Sequence, residues 1–124
     1  MAAPNIVNVA SIVGKTSRVS LSSTSATSVL NNPAGSGKVL KVNSLIVANI
    51  DGSNTAGITV GIYPQDDLGG TPVLLCKSIQ VPAQASLVVV SKNAPFYLEE
   101  DMSVAATASA ADDLSVVASY EEIS

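Results

Sequence analysis

Four features of this 124-residue chain have residue types and spacings that bear on chemistry. Gly35-Ser36-Gly37-Lys38 has the outline of a loop that cradles phosphate. The pattern G-x-x-x-x-G-K-[ST] demands Gly at position 32 and Ser or Thr at position 39. Asn32 and Val39 stand there, so the motif fails and the stretch reads as a flexible turn. A second feature is a set of acidic turns: Asp51, Asp66-Asp67, Glu99-Glu100-Asp101 and Asp112-Asp113. Carboxylates converging from several loops can hold calcium, which takes roughly six to eight oxygen ligands. Acidic turns are also what solubility asks of a chain poor in charge, and that reading is preferred here. Paired carboxylates can cleave glycosidic bonds, but such sites need a cleft and usually aromatic platforms for the sugar. No Trp, three Tyr and one Phe make that a weak case. The third feature, Cys76, is the only cysteine; it reads as a small core or interface residue and excludes an internal disulfide. The fourth, Tyr120 beside Glu121 and Glu122, reads either as an interfacial aromatic or as a cap on the core.

Histidine is absent altogether, which removes the commonest general base and metal ligand. No catalytic residue, no cofactor-binding residue and no metal ligand is expected, and the chain is not expected to be an enzyme.

The elements that would position these residues are organised around Lys38 to Pro64. Even positions Leu40, Val42, Ser44, Ile46, Ala48 and Ile50 would line one face of a strand, because successive strand side chains point to opposite sides. Ile58, Val60 and Ile62 alternate with Thr59, Gly61 and Tyr63 in a second strand. Asp51 and Asn54 flank Gly52 and Ser53, types suited to a tight reversal, so the two arms are expected to form a β-hairpin within one sheet. Leu45 and Val47 make the first arm apolar on its other side too, which asks for a second cover.

Before this hairpin, residues 1–14 read as an N-terminal arm or edge strand whose Ile6, Val7, Val9, Ile12 and Val13 fit no period. Thr16 to Leu21 reads as a short strand, Ser22 to Ser28 with the following Val29-Leu30 as a strand with a hydroxyl-bearing outer face, and Asn31 to Gly37 as a loop. After the hairpin, strands are expected from Val73 to Val81, Ala85 to Lys92, Phe96 to Leu98, Met102 to Ser109 and Leu114 to Tyr120. Residues 15–124 then form one all-β domain, an antiparallel β-sandwich, jelly-roll-like, of eight to nine strands.

Bulk composition narrows the partners. Six basic against ten acidic residues leave a net charge of −4 and no footprint for nucleic acid. Only 13% of residues are charged, against roughly a quarter in soluble domains. No apolar run approaches the roughly 20 residues that span a bilayer, so no membrane partner is expected. The low charge points instead to surface that is covered by other protein.

The opening Ala-Ala-Pro-Asn-Ile-Val-Asn-Val resembles that of small structural proteins in virions of tailed bacteriophages, notably those of marine cyanobacteria. Gly-Lys-Val-Leu-Lys-Val-Asn-Ser-Leu-Ile-Val-Ala-Asn-Ile-Asp-Gly in the centre, and Tyr-Leu-Glu-Glu-Asp-Met-Ser-Val with Ser-Tyr-Glu-Glu-Ile near the end, carry the same resemblance. It implies a β-sandwich building block of a particle, made in the host cytoplasm and located in the virion. A capsid decoration protein on the major capsid shell is the expected role. A tail, neck or fibre component and a carbohydrate-binding adhesive module are the alternatives. Self-association, with a trimer favoured, is expected through Leu45, Val47, Val88, Val90, Ile6, Val7 and Val9.

Overall fold

Alternating apolar and polar residues, punctuated by Gly, Pro, Asn and Asp, leave this chain no long helical period and many short extended runs. The computed structural model describes residues 4, 5 and 7–124, among which those runs become nine strands. They are β1 (Ile12–Ser20), β2 (Thr27–Asn32), β3 (Val39–Asn49), β4 (Ala56–Tyr63), β5 (Val73–Val81), β6 (Ser86–Val90), β7 (Phe96–Leu98), β8 (Met102–Ala108) and β9 (Leu114–Ile123). One sheet has the order β1-β9-β3-β6, with β7 also paired to β3, and the other the order β2-β8-β4-β5. All pairings are antiparallel. The chain changes sheet at every step except β4 to β5 and β6 to β7, which is the jelly-roll arrangement of a sandwich.

The expected Lys38–Pro64 hairpin is therefore corrected. Its two arms, β3 and β4, lie in different sheets. The reversal itself is present: the Asp51 carboxylate accepts from the N–H groups of Ser53 and Asn54. It carries the chain across the sandwich rather than back along the same sheet. Crossing lets both arms turn an apolar face to the shared core, whereas a hairpin in one sheet would leave the second sheet without its centre. The hydroxyl-rich run likewise shortens, since β2 begins only at Thr27.

β3 also departs from simple alternation. Its register against β9 shifts between Val42 and Ser44, so Asn43 is an extra residue, a β-bulge. Before it Leu40 and Val42 point inward; after it the inward set is Leu45, Val47 and Asn49. The even-numbered face thus holds for the first half of the strand and reverses in the second, leaving Ile46 and Ile50 exposed.

The core between the sheets is built from Leu21, Leu45, Ile58, Leu98 and Leu114, with Val42, Val47, Val60, Val104 and Val116 around them. β8 supplies Ala106 and Ala108 to this core, small residues that let the sheets approach. Two buried asparagines close the ends of the sandwich. At one end the Asn32 amide donates to the carbonyls of Lys38 and Leu98 and its oxygen accepts the Ser36 hydroxyl. At the other, the Asn49 amide donates to the carbonyls of Asn54 and Val81, and its oxygen accepts the Asp51 N–H. Each buried amide is fully partnered, as burial requires.

Candidate interaction surface

The structure separates the residues expected at a subunit interface into three groups. Leu45 and Val47 are 0% exposed and Val90 is 5% exposed, all within the core. Their place in the interface is corrected: the second cover that β3 needed is the chain's own other sheet. Val88 is 56% exposed and faces outward. In the arm, Val7 is 90% exposed, Val9 is half-buried, and Ile6 lies outside the described residues.

Register places Val88 in a row that the sequence did not reveal. Val88 lies opposite Ile46, Ile46 opposite Val117, and Val117 opposite Arg18. Three exposed aliphatic side chains thus cross the outer face of the β1-β9-β3-β6 sheet in one line. Directly opposed strand residues sit about 5 Å apart at Cβ, which makes Ile46 a neighbour of both Val88 and Val117. Around them the same face carries Ser44, Ala48, Ser86, Ser115 and Ser119, small groups that do not stand above the row. Two pleat repeats along β9, Lys41 faces Glu121 on one side and Tyr97 on the other. An apolar strip with charges at its margins is suited to packing against another protein; beside it a polar hollow of about 330 Å³ is lined by Lys41, Asn43, Ser44, Lys92, Ser119 and Glu121. The signal that could have found it was Val116-Val117 adjacent in one strand, but only pairing with Ile46 and Val88 turns that doublet into a surface.

A second apolar region lies along β5, a free edge where Val73, Leu74, Leu75 and Ile79 are all substantially exposed. Two register shifts against β4 interrupt it, and Ser78 takes a positive φ of 50° within the one between Ile79 and Cys76. Bulges and Lys77 on an edge discourage another strand from adding there.

The groups singled out for chemistry are mostly engaged in holding loops. The Asp66 carboxylate accepts the Ala34 N–H, and Asp67 and Asn31 exchange two hydrogen bonds. The Asp101 carboxylate accepts the Asp66 N–H. These bonds lay the 64–72 loop over β8, where Ser103 donates to the Gln65 carbonyl and accepts the Leu68 N–H. Among the described residues, no group of three or more Asp, Glu, Cys or His is arranged to hold a metal ion. Cys76 is half-buried in β5, paired with Val60 of β4, and burial raises its thiol above its ordinary pKa.

Glu122 takes part in both ion pairs found among the described residues. It accepts from Lys38 Nζ at 2.9 Å and Lys15 Nζ at 3.2 Å, on the rim of a cleft that also includes Asn31, Ser36 and Tyr120. The Lys38 hydrogen bond, then that of Lys15 and their charges, hold its carboxyl below the usual range against the opposing effect of burial. A depressed folded pKa contributes stability above the unfolded value and loses it as pH falls through the folded one. Each pair is partly solvated, so less than about 1 kcal/mol per pair is expected. On acidification from neutral to below the carboxylate range, the melting temperature of the native chain should therefore fall a few degrees further than that of Glu122→Gln. Parallel acid melts would remove the pairs from the account.

No protein-family model and no curated protein matches the chain. Among solved structures it is similar to a chain described under "Bacillus endospore appendages form a novel family of disulfide-linked pili". The identity is 15% and the TM-score 0.51, over 91% of this chain and 88% of that one. At that identity the likeness shows the shared sandwich fold and nothing further.

Proposed function

We propose that this chain is a virion structural protein, a decoration protein that binds the outside of the major capsid shell of a tailed bacteriophage. The observation that carries the reading is the exposed Val117, Ile46 and Val88 row, a packing surface on a small rigid sandwich. The phage resemblance of the opening, central and closing segments points the same way. Jelly rolls serve repeatedly as shell-building units, although one fold hosts many functions. The role asks for binding and no chemistry, which suits a chain without histidine. Self-association, with a trimer favoured, would use the exposed arm residue Val7 rather than the buried Leu45, Val47 and Val90, which leaves the row free for the shell. A protein that binds only assembled shell shifts the equilibrium away from disassembly by mass action.

Quantitative mass spectrometry of purified virions tests the role. Copies on the order of hundreds, in a simple ratio to the shell protein, are expected from symmetric decoration. One ring's worth of copies would instead assign the chain to the tail, neck or fibres.

An adhesive, carbohydrate-binding role is the second reading, favoured by the cleft between the 31–38 loop and β9. Tyr120 there offers an aromatic face, with Lys38 and Glu122 as polar partners. A glycan array probed with the native chain and Lys38→Ala separates the readings: binding lost in the variant would support adhesion.

A further inference from the structure

The outer face of the β1-β9-β3-β6 sheet is charged unlike the rest of the chain. Arg18 stands opposite Val117 at one end of the aliphatic row, and Lys41 and Lys92 line the hollow beside it. Among the described residues none of these three is ion-paired, since both ion pairs go to Lys15 and Lys38. Glu121 is the one carboxylate among the outward residues of these strands. Three cations against one carboxylate give the face a net charge of +2, on a chain whose total is −4. The other acids sit in the connections between strands or, as Glu122, in ion pairs.

The bulge in β3 makes the hollow. Because Asn43 is an extra residue, it and Ser44 both turn outward between the inward Val42 and Leu45. On the side of β3 away from β9, β7 pairs as far as Val42 and β6 from Leu45 onward, so neither strand has a partner opposite Asn43 and Ser44. The segment between β6 and β7 bridges that gap and puts Lys92 on the wall of the hollow. From β9 come Ser119, opposite Ser44, and Glu121, opposite Lys41. Ser44 and Ser119 are the outward pair next to Ile46 and Val117, so hollow and row form one continuous surface.

The polar groups of the hollow are not spent on the fold. Asn43 reaches Glu121 only at 3.5 Å, beyond the usual hydrogen-bond range, and the two lysines are unpaired. In the cleft beside the 31–38 loop, by contrast, Asn32, Ser36, Lys38 and Glu122 are already bonded to other groups of the chain. A free anion would engage the lysines and leave the row uncovered. Duplex nucleic acid carries a charge about every 1.7 Å and calls for a longer track of cations. A protein surface can use both parts at once. We propose that row and hollow together receive a protein surface whose apolar patch is flanked by an aspartate or glutamate, that carboxylate seating between Lys41 and Lys92. The inference rests on the decoration reading and specifies the chemistry of the shell surface it needs. Opposite charge at the margin of an apolar contact fixes orientation and speeds encounter more than it adds affinity.

Co-sedimentation tests it, with shells purified from particles of the encoding phage that lack this chain. The proteins compared are the native chain, Lys41→Glu, Lys92→Glu, Val88→Ser and Lys77→Glu. All four side chains reach solvent, so each variant should melt close to the native chain. Native binding should weaken as salt rises toward about 1 M, where screening acts beyond about 3 Å. Lys41→Glu and Lys92→Glu should each raise Kd about tenfold and flatten that salt dependence. Lys77→Glu makes the same change of charge on β5 of the other sheet and should bind as the native chain does. Binding lost in Val88→Ser but kept in both hollow variants would overturn the proposal and leave the decoration reading standing. An equal loss in Lys77→Glu would also overturn it, by tracing the effect to overall charge. A native chain that does not bind shells removes the decoration reading and the proposal with it. Capture of acidic glycans by the native chain and not by Lys92→Glu, with shell binding unchanged, would give the hollow to a saccharide instead.

Discussion

Val47→Lys should yield no folded protein, whereas Val88→Lys, in the neighbouring strand of the same sheet, should fold and melt close to the native chain. Val47 is 0% exposed, so the substitution buries an ammonium that has no partner. That costs several kcal/mol on its own, and about 1.5–3 kcal/mol of apolar burial is lost besides. Total stability of a domain this size is about 5–15 kcal/mol, so little or nothing remains. Val88 is more than half exposed, and a surface change there should stay within about 0.5 kcal/mol. Far-ultraviolet circular dichroism and thermal melts of the two purified variants decide the matter. A folded Val47→Lys variant would mean that β3 does not sit in the register described.

Asn32→Leu is expected to lower stability by about 2–4 kcal/mol, a large loss for one exchange of similar volume. The amide is 1% exposed and supplies donors to two carbonyls, that of Leu98 fully buried. Leucine takes the amide donor from both carbonyls, an unsatisfied buried group costing about 1–3 kcal/mol, while the Ser36 hydroxyl loses its acceptor and keeps only the Lys38 N–H. The adjacent Asn31→Leu removes only exposed hydrogen bonds to Asp67 and should cost much less. Denaturant titration should show a reduced midpoint with an unchanged slope for Asn32→Leu. Equal midpoints for the two variants would show that water replaces the amide at this end of the sandwich.

Local pattern made most of the fold legible. Strand positions from β3 onward follow from alternation and turn residues, because both are properties of neighbouring residues. Partners were the hidden part. Asp51 to Asn54 reverses the chain in a hairpin and in a crossing between sheets alike, and only the pairing of β3 with β9 and β4 with β8 distinguishes them. Asn43 is a polar residue among many, yet as a bulge it reverses the facing of everything after it, which put Leu45 and Val47 inside and Ile46 outside. The Val117, Ile46 and Val88 row was out of reach for the same reason, since it joins three strands far apart in sequence. Acidic turns were legible as turns; the Asp51 carboxylate bonds to the backbone two and three residues on, as such residues commonly do, whereas those of Asp66 and Asp101 bond to backbone 32 and 35 residues away.

The two asparagines that close the sandwich also bear on how the protein ages. Spontaneous loss of the side-chain amide begins when the next residue's backbone nitrogen, giving up its hydrogen, attacks the amide carbon. After Asn32 comes Pro33, whose nitrogen carries no hydrogen to give up. After Asn49, the Ile50 N–H is held in a 2.8 Å hydrogen bond to the Asp113 carbonyl. Deamidation at either site would set a negative charge against carbonyl oxygens and loosen an end of the molecule that no later event could repair. Chain chemistry at one end and a hydrogen bond at the other oppose that route, so these closures resist deterioration over a long service life.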